Sequence, residues 1–200
     1  DKLFIPAQTI FPSNLNDELT TKLLEAERRL HAYLCPAFGM IHSEYLVNRM
    51  TGEICLVETA LRGGGVYISS HLVPLYCGYN NYELLLNAAF GKDINLSNIE
   101  QQMHRQASAY VCFYLPEGEI VSIEGIAELR KMPFVHVADL DDLKVGMHTK
   151  PMLNKTMRLG PIIVSGEDRN SVEQNIACVQ QTLQINVQQN DESIKGIQWK

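Results

Sequence analysis

The sequence predicts an α+β chain whose first half mixes a helix with a hairpin and whose second half is rich in strands. Three observations carry this. Leu19, Leu23, Ala26, Leu30 and Tyr33 or Leu34 recur at helical spacing, so one face of that segment is apolar. Two strand-like runs, 38–48 and 53–61, are joined by a turn containing Gly52, whose permissive backbone suits a hairpin. From residue 107 onward, short apolar runs bounded by turn residues replace the helical period.

Residues 2–10 read as an opening strand, ended by the turn cluster Phe11, Pro12, Ser13 and Asn14. Asn16 then caps a helix over 17–34, with Asp17 and Glu18 in the first turn where the helix dipole favours acids, and Pro36 stops it. After the hairpin, Arg62-Gly63-Gly64-Gly65 breaks the pattern. A short helix near 70–76 and a better one over 81–90, closed by Gly91, come next. The polar connector 92–105 divides a first domain, 1–100, from a second, 101–187. In the second, strands 107–115 and 120–124 flank the turn Pro116-Glu117-Gly118, 134–138 is another strand, and 161–166 reads as a buried one. Asp168 or Asn170 caps a final helix over 171–183, and residues 188–200 form a polar tail with no period. No internal repeat is visible.

Composition removes several function classes. The chain has 200 residues, 46% hydrophobic and 20% charged, enough for one sizeable core or two small ones. Its net charge of -6 argues against a general nucleic-acid binder, since phosphate affinity rests on Lys and Arg. No apolar run approaches the roughly 20 residues that cross a bilayer. Five scattered cysteines without CxxC spacing point to a reducing compartment, with the cytoplasm as the expected location. A chain that starts at Asp1 inside a strand is expected to have been cut from something longer. Apolar surface exposed by such a cut favours association, into a homodimer for example.

The hairpin is the most informative stretch. Pairing symmetric about Thr51 sets Glu44 directly opposite Glu58, with His42, Leu46, Leu56, Ala60 and Arg62 on the same face. Tyr45, Val47, Cys55 and Val57 fall on the other, apolar face. Carboxylates opposed on a sheet repel, and a cation or a shared proton between them relieves that. A hard divalent ion completed by substrate phosphate oxygens fits, with magnesium the usual one and manganese an alternative. Arg62 can meet a phosphate or carboxylate, and Gly63 to Gly65 let backbone approach a ligand. Blander readings stand beside this one. A register slipped by one residue separates the acids, each acid can be a solvated surface residue, and the glycine run can be a plain loop.

The stretch Gly39-Met-Ile-His-Ser-Glu44, the hairpin, and Leu56-Val-Glu58-Thr-Ala-Leu-Arg62-Gly-Gly64 together resemble the ATP-grasp superfamily. In that family a glycine-led strand carries the first acidic metal ligand, and the next strand carries a second within a Glu-x-Asn-x-Arg pattern. The segments 71–78 and 82–91 look like the paired helices that follow in amino-acid ligase and biotin-carboxylase-like branches, and 157–187 resembles their C-terminal lobe. The resemblance implies the C-terminal part of an ATP-grasp fold, an antiparallel sheet with helices, plus a small strand-rich C-terminal lobe. It implies that Glu44 binds one Mg²⁺, that Glu58 bridges two, and that Arg62 contacts an acyl phosphate or the acceptor. ATP would be the cosubstrate, with a small carboxylate and an amine as the joined partners. The position of the family's Asn is Ala60 here, and the lysines that grip the nucleotide belong to an upstream half not in this chain. The expected parent is therefore an ATP-dependent carboxylate–amine ligase, and this polypeptide alone is expected to be inactive. Alternatives are a biotin-carboxylase or carbamoyl-phosphate type of enzyme, and a non-catalytic binding module, which Ala60 favours.

Other residues divide between site and scaffold. His42 either shapes the substrate pocket or is a partly buried histidine with a hydrogen-bond partner. Arg158, before a glycine and a buried strand, is a phosphate or carboxylate contact or a surface arginine capping a loop. His71 reads as structural, His136 and His148 lack zinc spacing, the acids over 139–142 lack a calcium-loop pattern, and Met147, Met152 and Met157 read as core or loop fillers.

Overall fold

The computed structural model describes residues 7–34, 38–95, 97 and 106–199. Pro36, the start of the opening run and most of the connector past residue 97 lie outside them. The chain divides into two compact units: a hairpin unit, Ser13–Pro74 with Gly78–Met103, and a sheet unit, Asp1–Pro12, Leu75–Cys77 and His104–Lys200. No helix among the described residues is long and apolar enough to cross a membrane.

In the hairpin unit, helix α1 (Asp17–Leu34) begins where the Leu19 N–H donates to Asn16 Oδ1 at 2.9 Å. Strands β2 (His42–Asn48) and β3 (Glu53–Ala60) pair antiparallel. Gly52, at φ 70°, closes the turn by donating its N–H to Asn48 O at 2.8 Å. Helix α1 holds one face of this ribbon: Tyr45 Oη donates to Glu27 Oε2 at 2.6 Å, and Ser43 Oγ donates to Glu27 Oε1 at 3.0 Å. Burial, with the Glu27 carboxylate beside it, pushes the Tyr45 phenol up to about 12. A π-helical turn (Ile68–Leu72) leads into α2 (Val73–Cys77), whose residues Leu75–Cys77 count with the sheet unit. Helix α3 (Asn81–Ala89) follows, its first N–H groups capped by Asn80 Oδ1.

The sheet unit contains two four-stranded sheets. The first runs in the order β1 (Gln8–Phe11), β4 (Ala107–Phe113), β8 (Leu159–Gly166) and β6 (Val135–Ala138), all antiparallel. The second runs β10 (Ile194–Lys195), β9 (Gln184–Gln188), β5 (Gly118–Glu124) and β7 (His148–Thr149). Helix α4 (Ile126–Leu129) is a single turn, and α5 (Arg169–Thr182) lies against the core through Val172, Ile176 and Val179. It starts at a capping box, in which Ser171 N–H donates to Asp168 Oδ1 at 2.7 Å and Asp168 N–H donates to Ser171 Oγ at 2.9 Å. Asp168, not Asn170, is the cap. Val111, Phe113, Ile162, Val164, Ile185 and Val187 fill the core, and β4 is buried along its whole length.

Three sequence expectations change here. The opening strand pairs with β4, Gln8 against Val111 through Phe11 against Ser108, so it completes the sheet unit and not a domain of residues 1–100. Strands β4 and β5, on either side of the turn Pro116–Gly118, belong to different sheets. The segment without a sequence period carries structure over residues 188–199. Strand β10 folds back on β9, Tyr114 and Gln198 exchange backbone hydrogen bonds of 2.9 Å, and the Trp199 ring lies 5.2 Å from Phe113. A few apolar residues at irregular spacing suffice to dock that segment onto a strand already in place.

Candidate active site

The register of β2 and β3 pairs His42 with Ala60, Ser43 with Thr59 and Glu44 with Glu58, so the two carboxylates oppose each other directly. Toward the turn the register shifts: Tyr45 faces Leu56, Leu46 faces Cys55, and Val57 is the extra residue of a bulge. The bulge corrects the predicted faces. Cys55 shares the carboxylate face with Leu46, while Leu56 turns with Tyr45 and Ile54 to the side held by α1. Bulges commonly sit beside sites because they re-aim side chains; this one immediately precedes Glu58.

Both acids are open to solvent, Glu44 at 56% of its side chain. His42 Nε2 lies 3.4 Å from Glu44 Oε1, and the His42 side chain is 20% exposed. Arg62 extends from the end of the strand with Nη1 donating to Gly63 O at 2.9 Å. Gly63 and Gly64 matter through close packing. A Cβ at Gly64 would meet His42 Nδ1 at 2.9 Å and Ile68 Cγ2 at 3.0 Å, and one at Gly63 would meet Ser69 Oγ at 2.5 Å. Gly64 therefore leaves room beside its own backbone for both the His42 ring and the Ile68 side chain. Just beyond, Val66 (φ 46°) and Tyr67 (φ 65°) both adopt left-handed backbone, a conformation that a β-branched residue resists. Sequence pattern had given neither residue weight.

A cation at the Glu44–Glu58 pair would find two carboxylates from the protein. Among the described residues no group of three or more His, Cys, Asp or Glu is placed to hold a metal. Two carboxylates with phosphate oxygens and water completing an octahedron is how magnesium is commonly held, so the pair fits that ion and not an all-protein cage.

Residues 111–188 match the family model of the L-amino acid ligase C-terminal domain 2. No curated protein matches the chain. An L-amino acid ligase from Bacillus licheniformis superposes with a TM-score of 0.76 at 20% identity, over 93% of this chain and 47% of that structure. The fold is that of the C-terminal portion of an ATP-grasp ligase. A phosphoribosylglycinamide synthetase from Anaerococcus prevotii matches this ATP-grasp portion with a TM-score of 0.73 at 15% identity, over 90% of the chain and 45% of the structure. A biotin carboxylase from Campylobacter jejuni gives 0.59 at 16%, over 96% and 40%. The chain spans less than half the length of each of these structures.

Within the ATP-grasp fold, the candidates divide between the two units. Glu44, Glu58, Arg62, Gly63, Gly64 and His42 all belong to the hairpin unit, whereas Arg158 belongs to the sheet unit. There Arg158 Nε donates to Lys155 O at 3.0 Å and the guanidinium stands 5.6 Å from the centre of the Tyr110 ring, a cation–π contact. His71 is held locally, 2.8 Å from Ser70 Oγ and with its ring tilted at 53° to that of Tyr67, 5.0 Å away. His136 meets Ser165 Oγ at 2.8 Å, and His148 pairs with Glu119 at 3.8 Å. The described cysteines, Cys55, Cys77, Cys112 and Cys178, are all free thiols.

Proposed function

We propose that this chain carries the metal-binding and phosphate-contacting part of an ATP-dependent carboxylate–amine ligase acting on an amino acid or a similar small molecule. The observation that carries the reading is the direct cross-strand pairing of Glu44 with Glu58, followed on the same strand by Arg62 and two packed glycines, on an ATP-grasp fold. The L-amino acid ligase match over 111–188 supports the amino-acid branch over a carboxylase.

In this reading Glu44 and Glu58 would hold the magnesium or manganese. Magnesium, when bound, neutralises phosphate charge as the phosphoryl group moves from ATP to the substrate carboxylate. His42, 3.4 Å from Glu44, keeps that carboxylate oriented and forms a wall of the substrate pocket with Gly63 and Gly64. Arg62, which makes no ion pair among the described residues, presents its fork to the acyl phosphate or to the acceptor. Ala60 offers only a methyl where the family pattern has an amide, so the two glutamates carry the ion without it. The nucleotide-gripping lysines are taken to lie on the upstream half of the full-length protein, and the chain alone is inactive.

Phosphate release from ATP and magnesium by the full-length protein, against a panel of amino acids, tests this. Amino-acid-dependent release that Glu58→Gln abolishes is expected, with none from the 200-residue chain. Absence of release with every amino acid despite nucleotide binding would overturn the ligase reading in favour of bicarbonate chemistry or, given Ala60, a binding module.

A further inference from the structure

The ribbon of β2 and β3 has two registers open to it, and the carboxylate pair exists in only one. From the turn outward the ladder pairs Asn48 with Glu53, Val47 with Ile54, Leu46 with Cys55 and Tyr45 with Leu56. Continued without interruption, it would set Glu44 opposite Val57, Ser43 opposite Glu58 and His42 opposite Thr59. Residues directly opposite in an antiparallel pair share a face, so Glu58 would leave Glu44 and join Ser43 on the side held by α1. The observed ladder leaves Val57 unpaired instead, which disrupts it locally and sets two like charges face to face. The plain register avoids both costs, so other contacts must favour the bulged one.

The side chains facing α1 tell the two registers apart. Ser43 Oγ donates to Glu27 Oε1 at 3.0 Å, which uses its single hydrogen, so the Thr59 hydroxyl, 3.0 Å away, donates to Ser43 Oγ. This chain needs Thr59 opposite Ser43, and only the bulged register provides that. In the plain register the Glu58 carboxylate would stand opposite Ser43, beside the half-buried carboxylate of Glu27, whose like charge opposes it. Tyr45 does not discriminate: it faces Leu56 in both registers, so its bond of 2.6 Å to Glu27 Oε2 forms in either. Nor does His31, which lies 3.4 Å from Glu27 Oε1 on the helix itself.

We propose that Glu27 and Thr59 are positioning residues that select the bulged register and so bring Glu44 and Glu58 onto one face. Glu27 acts through the hydrogen bond it accepts from Ser43 and by repelling Glu58 from its own side. Thr59 acts through a hydroxyl that only the bulged ladder can use. Both lie on the opposite side of the ribbon from the acid pair. The inference rests on the ligase reading only for what the shared face serves; the register is a property of the ribbon.

Cross-strand nuclear Overhauser contacts in the 200-residue chain, without metal, read the register: Ser43 with Thr59 in one, Ser43 with Glu58 in the other. Titration with manganese chloride reads the acid pair. Thr59→Val keeps the shape and removes the hydroxyl. It should move the ratio of bulged to plain register about fivefold toward the plain one, as loss of one hydrogen bond implies. Combined with Glu27→Gln, it should bring up the Ser43–Glu58 contact and weaken manganese binding about tenfold, since the binding-competent register is then a minor one. Tyr45→Phe should lower the thermal midpoint yet leave contacts and manganese affinity as in the parent, which separates register from stability. A double variant that keeps the parent's contacts and affinity, or an equal loss of affinity in Tyr45→Phe, would overturn the proposal. A parent that binds no manganese, beside a double variant that changes register, would support the register assignment and count against the metal reading alone.

Discussion

Glu58→Gln makes the metal reading and a purely structural one predict opposite signs. Glu44 and Glu58 are direct cross-strand partners, and like charges so placed cost about 0.2–1 kcal/mol. The Glu44 side chain is 56% exposed, so solvent screens the repulsion and the lower half of that range applies. Glutamine keeps the shape and removes one charge. The metal-free variant should therefore gain about 0.2–0.5 kcal/mol, a rise in Tm of about 1–4 °C for a unit of this size. Manganese or magnesium reverses the order. At ten times its dissociation constant an ion that binds only the folded chain adds about 1.4 kcal/mol, and the variant forfeits most of it. Thermal scans of both proteins in chelator and in divalent salt, with sodium chloride matched for ionic strength, measure the two effects separately. A variant less stable than the parent in chelator, or one that gains as much from the ion as the parent does, would refute the reasoning.

Other outcomes follow from equally local geometry. Gly64→Ala sets a methyl 2.9 Å from His42 Nδ1 and should cost about 1–3 kcal/mol in urea unfolding while moving the His42 ring resonances; an unchanged midpoint and unmoved ring would show that the glycine is not packed as described. Asp168→Ala removes the carboxylate that accepts from the Ser171 N–H in the α5 capping box, while the backbone half to Ser171 Oγ stays, and should lower the thermal midpoint. Hydrogen bonds from Ser171 hold the Asp168 carboxyl below its ordinary 3.8, so its contribution is present above that pH and fades on acidification; the alanine variant should lose less stability in acid than the parent. Burial, with the Cys112 thiol nearby, pushes the Tyr110 phenol up to about 12 from 10.0. A raised phenol pKa leaves stability intact below pH 10 and withdraws it between 10 and 12, by about 2–3 kcal/mol. Tyr110→Phe should remove that alkaline loss in denaturant titrations.

Local chemistry was legible where one segment decides its own structure. The α1 helix announces itself by its apolar period and by Asn16, and the opposition of Glu44 and Glu58 follows from the turn position and the two-residue alternation. The bulge at Val57 does not, because an apolar β-branched residue suits either face of a ribbon and nothing in its neighbours marks an unpaired position. The same limit hides β9: Ile185 and Val187 are only two apolar residues among glutamine and asparagine, and their burial is decided by β5. Arg158 is harder still. Its environment is the Tyr110 ring on a strand that the sequence places nearly fifty residues away, so no local pattern distinguishes it from a surface arginine.

The pairing of β1 with β4 has a consequence for how the chain is made. Strand β4 is flanked by residues 8–11 on one side and β8 on the other, and nearly all of the hairpin unit lies between β1 and β4 in sequence. The hairpin unit is thus an insertion in a discontinuous domain. During synthesis β1 cannot pair with β4 until about a hundred further residues have followed it. Contacts of such long sequence separation form slowly, so the hairpin unit, whose own ribbon is closed by a short turn, has time to fold before the sheet that encloses it in sequence is complete.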